Sequence, residues 1–337
     1  MVRQRSITLI APSIAPAAAR AEGVESGAWP GLARLAGRGK VECCGAGDVA
    51  LEPWQIELLR ILDLDEGAQR YPDAAVRRAS EAVERPSGCW LRATPLHLAA
   101  GLDHLTAVNL SGAFAVDQTE RERLAASLAP HLQDEGFELT TTSRGEWLLQ
   151  SARPLNANTA TPAAAASTAL EDALPQGPDG RILRRVMTEL QMLLHEHPVN
   201  LERDARGAPP INAVWLHGLG SLEHTAQRAL PAAFGGDSYL RGLYRLHDQR
   251  LISDSAEPDV VLAHARDGVV ALIPAQDLDE IERRWAPSLW RALSTGAANR
   301  IEIVLDRWRI TATRAAVLRF WRRAKPPSQW SAACRDA

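Results

Sequence analysis

The feature that most constrains the fold is an alternation in the C-terminal half, in which short apolar runs are separated by longer stretches of helical length. Ile211–Leu216, Asp259–Ala263 and Ile301–Leu305 are short enough for buried strands, and Asp277–Ala298 between the last two is long enough for a helix. Strand–helix–strand units of this kind place strands side by side and parallel, so the chain is expected to be α/β with a doubly wound, mostly parallel sheet. Ser6-Ile-Thr-Leu-Ile10 supplies a further strand, stopped by Ala11-Pro12. Residues 28–38 place Trp29, Leu32, Leu35 and Ala36 at helical spacing, and a second helix starts at Pro53-Trp54 and runs through Leu62. A length of 337 residues suits one main domain with a smaller lobe.

Residues 89–151 change character. Cys89 to Arg92, Leu105 to Leu110, Phe137 to Thr142 and Glu146 to Gln150 read as strands, and Asp117-Gln-Thr-Glu120 caps a helix to about Gln133. This predicts a small α+β lobe over 86–151. The Ala-, Thr- and Pro-rich stretch 152–178 is expected to be a linker or lid. Arg181 to His195 forms one apolar helical face, with Pro198 ending that helix. The expected division is therefore 1–85 and 179–325 for the main domain, with 326–337 as a tail. Before that tail, Thr313 to Arg323 reads as an amphipathic helix carrying Val317, Leu318, Phe320 and Trp321. A solvated face is the simpler account of it, and a membrane-surface or partner-binding helix is the alternative.

A net charge of −3 gives no field to attract a phosphate backbone, so no nucleic-acid partner is expected. Cys43, Cys44, Cys89 and Cys334 show no CxxC spacing, which suggests neither a zinc site nor a disulfide framework and favours reduced thiols. The apolar run Ile7 to Ile10 is too short for a signal peptide, and no stretch is long enough for a membrane span, so a cytoplasmic location is expected.

Residues 188–221, TELQMLLHEHPVNLERDARGAPPINAVWLHGLGS, carry most of the chemistry. Asn200, Arg203 and Asn212 surround a Pro-rich loop and could grip a phosphate or carboxylate. Gly218 and Gly220 follow a strand and precede an expected helix from Leu222, which would bring backbone N–H groups near an anion, with His217 as a further donor. Each of these has a plain structural alternative: Asn212 as a loop cap, Ser221 as a helix cap. Gln191 and His195, four residues apart, share a helical face and could point into one pocket, whereas His195 and His197 do not have a metal-binding spacing. The run Trp90-Leu-Arg-Ala-Thr-Pro-Leu-His97 offers Arg92 and His97 as similar candidates.

The pattern of a helix, then HPVN, a later Arg, and P-x-N before a strand ending in G-x-G resembles the archaeal-type cofactor-independent phosphoglycerate mutases of the alkaline-phosphatase superfamily. It looks still more like the bacterial RpfE-type regulatory proteins. The resemblance implies that these segments line a pocket, and that the chain is a regulatory or accessory protein binding a small anionic ligand or a protein partner. Enzymes of that superfamily hold two divalent cations with Asp and His at strand ends. The resemblance would put an Asp after the first strand, where this chain has Ala11-Pro12-Ser13. It would also put Asp-His after a late strand, where this chain has Asp306-Arg307. Arg cannot ligate a metal.

Loss of the two-metal site and no cofactor are therefore expected. The alternative is an active phosphomutase or phosphatase using Mn, Mg or Zn. Two weaker ideas are a mononuclear site from His247, Asp248 and His264, and metal-free acid–base chemistry by His217 or His195.

Overall fold

The computed structural model of the chain describes residues 5–12, 29–44, 49–64, 70–100, 105–108, 110, 114–165, 170–223, 226–274, 277–305 and 308–334. Its strands are β1 Ser6–Ala11, β2 Lys40–Cys43, β3 Cys89–Ala100, β4 Leu105–Val108, β5 Phe137–Thr141, β6 Trp147–Ser151, β7 Ala213–Gly220, β8 Ala232–Phe234, β9 Val269–Leu272, β10 Arg300–Leu305 and β11 Trp308–Thr313. The chain divides into two compact units, one of residues 1–47, 53–65 and 227–337, the other of 48–52 and 66–226.

In the first unit a six-stranded sheet runs in the order β2-β11-β10-β1-β9-β8. β1 lies parallel to both β9 and β10, and β8 is parallel to β9, while β11 turns back antiparallel on β10. This is the expected mixed α/β sheet, parallel at its centre. One face presents Ile7, Leu9, Ile301, Ile303 and Ile310 to a core shared with Leu32, Leu35, Ile281, Leu289 and Leu293 from the helices Pro30–Arg38, Leu278–Arg284 and Ala286–Thr295. Residues that alternate with these along the strands, such as the buried Thr8 and Glu302, point to the opposite face. There Glu302 pairs with Arg60 of the helix Pro53–Ile61 at 3.4 Å.

Three local expectations differ from the structure. Asp259–Ala263 belongs to the helix Pro258–Ala263, because Pro258 in the first turn and Asp259 beside the N-terminus are helix-start signals that outweigh the short Val-Val-Leu run. The central strand of that region is instead β9, which starts after Gly268 at φ 83°. The expected long helix 277–298 is broken at Trp285, since Pro287 lacks an N–H and crowds the preceding turn. The amphipathic helix expected over 313–323 is present as Ala315–Leu318 only. The cysteines also depart from expectation: Cys43 is disulfide-bonded, whereas Cys44 and Cys89 are free and buried. Burial pushes the Cys44 thiol up to about 12, so it stays protonated and unreactive.

The second unit is built on a five-stranded sheet, ordered β4-β3-β6-β5 with β7 on the other side of β3. Here the expected linker and part of the expected main domain join the expected lobe: β7 pairs along β3, and the helix Gly180–His195 packs on the same sheet. Leu183, Val186, Leu190 and Leu194 from that helix, and Leu124, Leu128 and Leu132 from Gln118–Asp134, close one face over Leu91, Ala93, Val214 and Leu216. The capping box read from the sequence is present, with Asp117 accepting from the Glu120 N–H and Glu120 accepting from the Asp117 N–H. No helix among the described residues is long and apolar enough to cross a membrane.

Candidate functional site

The side chains that the second unit concentrates lie on the face of β3 and β7 opposite that core. In the antiparallel register Arg92 faces His217 and Thr94 faces Trp215, and residues directly opposite one another project from the same face. The helix Asp73–Ala79 packs against both strands and contributes Asp73 and Arg77, four residues apart and therefore on one helical face. Arg77 donates to Asp73 at 2.7 Å and to Glu146 at 2.8 Å. Arg92 stands 3.6 Å from the other Asp73 oxygen and 3.3 Å from Glu146. Two carboxylates thus bridge two guanidinium groups in a closed ring. Asp73 and Arg77 are buried, Glu146 is largely so, and Arg92, with a quarter of its side chain exposed, is the member most open to solvent.

A third guanidinium, Arg121, is held by the carbonyls of Val116 and Gly145. Burial lowers its pKa, and the neighbouring Arg92 charge lowers it further. The carboxylates of Glu146, Glu120 and Asp117 act on Arg121 in the opposite direction.

His217 is buried beside them. Its Nε2 lies 2.9 Å from the Thr94 hydroxyl, and its Nδ1 is buried with no hydrogen-bond partner. Loss of solvent, reinforced by the Arg92 charge, pulls its pKa down to about 3, against a smaller opposing pull from Asp73. The imidazole is therefore neutral at ordinary pH and cannot exchange a proton as a general acid or base there. A buried ring nitrogen without a partner costs about 1–3 kcal/mol, and such an atom calls for a water or a ligand to satisfy it.

Gly218 and Gly220 lie within β7, and no helix follows at Leu222 among the described residues. Their function in the fold is close packing. A Cβ on Gly220 would fall 2.5 Å from the Pro72 ring, and one on Gly218, at φ 65°, would fall 2.9 Å from the Asp73 Cβ. The missing side chains let the first turn of Asp73–Ala79 sit against β7, which brings Asp73 to Arg92.

The other candidates lie elsewhere. Asn200 donates to the carbonyls of Leu194 and Ile211 and accepts from the Ile211 N–H, fixing the loop between its helix and β7. Arg203 is fully buried and bonds through all three nitrogens, to Pro209, Glu120 and Phe114. Asn212 clips the backbone of Leu98 at both its N–H and its carbonyl. The polar groups of this trio are engaged by the chain itself. His97 bonds the Pro210 carbonyl at 2.9 Å, and Gln191 and His195 share a face as expected, but that face is exposed. Pro198 opens a new helix, Pro198–Ala205, with the buried His197 ring as its cap.

Sequence reading missed Asp73, Arg77 and Glu146. The Asp73–Arg77 spacing was an available signal, whereas Glu146 reaches the cluster only through the pairing of β6 with β3.

At the C-terminal ends of three of the parallel strands in the first unit stand Ala11 and Pro12 for β1, Gly235 and Gly236 for β8, and Ile273 and Pro274 for β9. None of these side chains can ligate a cation. Asp237, one residue further, caps the helix Ser238–Leu246 through its carboxylate. Among the described residues no group of three or more His, Cys, Asp or Glu is placed to hold a metal. His247 accepts from the Arg228 N–H, while His264 faces the Val260 carbonyl. The described residues therefore do not fit a two-cation site. Ser13, Asp306 and Arg307 lie outside the described residues.

Fold and site together define an α/β protein with a parallel-centred sheet in one unit and an antiparallel sheet in the other, the latter carrying a largely buried cluster of Arg and carboxylate side chains beside His217. Over 51 residues the chain is 45% identical to the 2,3-bisphosphoglycerate-independent phosphoglycerate mutase of Methanothrix thermoacetophila, a stretch that covers 15% of this chain and 13% of that enzyme. The chain is thus similar in part to the cofactor-independent phosphoglycerate mutases. Among solved structures, the cofactor-independent phosphoglycerate mutase from Thermoplasma acidophilum aligns with 96% of this chain and 93% of its own at 15% identity and a TM-score of 0.40. The PH0037 protein from Pyrococcus horikoshii aligns with 98% of this chain and 93% of its own at 12% identity and a TM-score of 0.48. No family model matches the chain.

Proposed function

We propose that the chain is a phosphoglycerate-mutase-like protein of the RpfE-type regulatory or accessory kind, which binds a small phosphate- or carboxylate-bearing ligand at Arg92. The observation that carries this reading is the buried, unpartnered Nδ1 of His217 across the strand pair from a partly exposed Arg92. A guanidinium matches the two oxygens of a carboxylate or phosphate in a planar fork. The two carboxylates of the cluster keep Arg92 aligned, and the exposed part of its guanidinium is the group that an anion would meet. Among the described residues, the ends of β1, β8 and β9 offer Ala, Pro, Gly and Ile where a two-cation phosphotransferase needs carboxylates and imidazoles, which favours binding over phosphoryl transfer.

Isothermal titration of the full chain with inorganic phosphate and with a phosphoglycerate tests the reading. Micromolar to millimolar binding to at least one of them, weakened tenfold or more by Arg92→Gln, is expected; no binding, or binding indifferent to that change, refutes it. The second reading, an active metal-dependent phosphomutase or phosphatase, is favoured by the 51-residue similarity to an enzyme of that name. Elemental analysis with Mn²⁺-, Mg²⁺- and Zn²⁺-supplemented mutase and phosphatase assays separates the two. Stoichiometric metal with turnover abolished by EDTA establishes the enzyme.

A further inference from the structure

Residues 314–325 carry five cations, Arg314, Arg319, Arg322, Arg323 and Lys325, and no acid, in a chain whose net charge is −3. Among the described residues none of the five forms an ion pair with a carboxylate. The same segment exposes three large apolar side chains: Leu318 is 71% exposed, Phe320 77% and Trp321 69%. The two rings stack edge to face, 5.3 Å between centroids. Apolar residues in this number and this close together on a water-facing surface mark a contact site.

The segment is ordered by its backbone. Lys325 N–H donates to the Ala33 carbonyl, and the Arg319 guanidinium donates to the Arg38 carbonyl. The chain at Arg323 lies so close to the helix Pro30–Arg38 that a Cβ on Gly37 would fall 2.1 Å from the Arg323 carbonyl oxygen. Beyond it, Trp330 is buried and donates back to the Lys325 carbonyl. Both ends of the loop are therefore tied, and Phe320 and Trp321 are held outward. Arg34 and Arg38 stack on the Trp290 ring, each 5.2 Å from its centroid, which adds two further cations on the helix that carries the loop.

We propose that this loop binds the surface of an anionic lipid bilayer. Trp and Phe prefer the headgroup region, where the ring is buried in the apolar boundary. Leu318 adds apolar area that no stacking on a base or nucleotide would use. The flanking Arg and Lys meet lipid phosphates, and each cation near such a surface strengthens binding about fivefold. The contact is interfacial and needs no spanning helix.

The experiment is flotation of the full chain with vesicles of phosphatidylcholine alone and of phosphatidylcholine mixed with phosphatidylglycerol, for the wild type, Phe320→Ala/Trp321→Ala and Arg322→Gln/Arg323→Gln. Binding is expected to the mixed vesicles only, to fall tenfold or more in each variant, and to weaken with added salt. Circular dichroism should show unchanged folding, because these side chains are exposed. Binding to neutral vesicles as strong as to anionic ones, no binding to either, or binding that survives both double changes overturns the proposal. A sedimentation shift from dimer to monomer in Phe320→Ala/Trp321→Ala without vesicle binding also overturns it and makes the loop a contact between copies of the chain.

Discussion

Protonation of His217 should destabilise the fold as the pH falls, by an amount the structure sets. The folded-state pKa is depressed to about 3 from an ordinary 6.5, mainly by burial. In that direction the neutral ring is the folded form, so the contribution is fully present above pH 6.5. It is lost as the unfolded chain takes up a proton between pH 6.5 and 3. At 1.36 kcal/mol per unit the full shift corresponds to about 4–5 kcal/mol, of which about 2 kcal/mol falls between pH 7 and pH 5. Urea unfolding at pH 7 and pH 5 measures the change directly, and His217→Gln provides the reference, since Gln can still meet Thr94 but does not titrate. The expected result is that stability falls between those pH values by about 2 kcal/mol more in the wild type than in the variant. An equal pH dependence in both proteins, or an imidazole carbon shift in the NMR spectrum that titrates near 6.5, would refute the burial argument.

Other outcomes follow from the same packing. Arg203→Met should cost on the order of 3–5 kcal/mol in urea unfolding, because it leaves Glu120 buried with a charge that lost its innermost partner. The double change with Glu120→Gln should recover part of that, and a single-variant loss under about 1 kcal/mol would argue that the pair is solvent-screened. Gly220→Ala should destabilise by about 1–3 kcal/mol, since its Cβ would meet the rigid Pro72 ring at 2.5 Å. An unchanged melting temperature in Gly220→Ala would mean that the helix Asp73–Ala79 moves away without cost.

Where a signal was local, the sequence by itself determined the result. The Asp117 and Glu120 capping box, the apolar stripe of Gly180–His195 and the stop of β1 at Ala11-Pro12 are all formed as the residues dictate, because hydrogen bonds within a few residues and helical periodicity decide them. The α/β class was likewise legible in the alternation of strand and helix, but of the three strands in that reading only Ile301–Leu305 lies in the parallel sheet. Asp259–Ala263 is a helix, Ile211–Leu216 falls in the antiparallel sheet with β7, and the strand beside β1 is β9.

Only the tertiary structure decided what β7 does. As a local segment it reads as a strand leading through G-x-G to a helix, a phosphate-binding arrangement. Pairing with β3 places it in an antiparallel sheet, and its glycines make room for Pro72 and Asp73. The same long-range pairing turns Asn200, Arg203 and Asn212 into internal ties and gathers Asp73, Arg77, Arg92 and Glu146 from three separate elements. Burial and partner identity at those positions depend on residues tens of positions away, and neither propensity nor spacing along the chain carries that information.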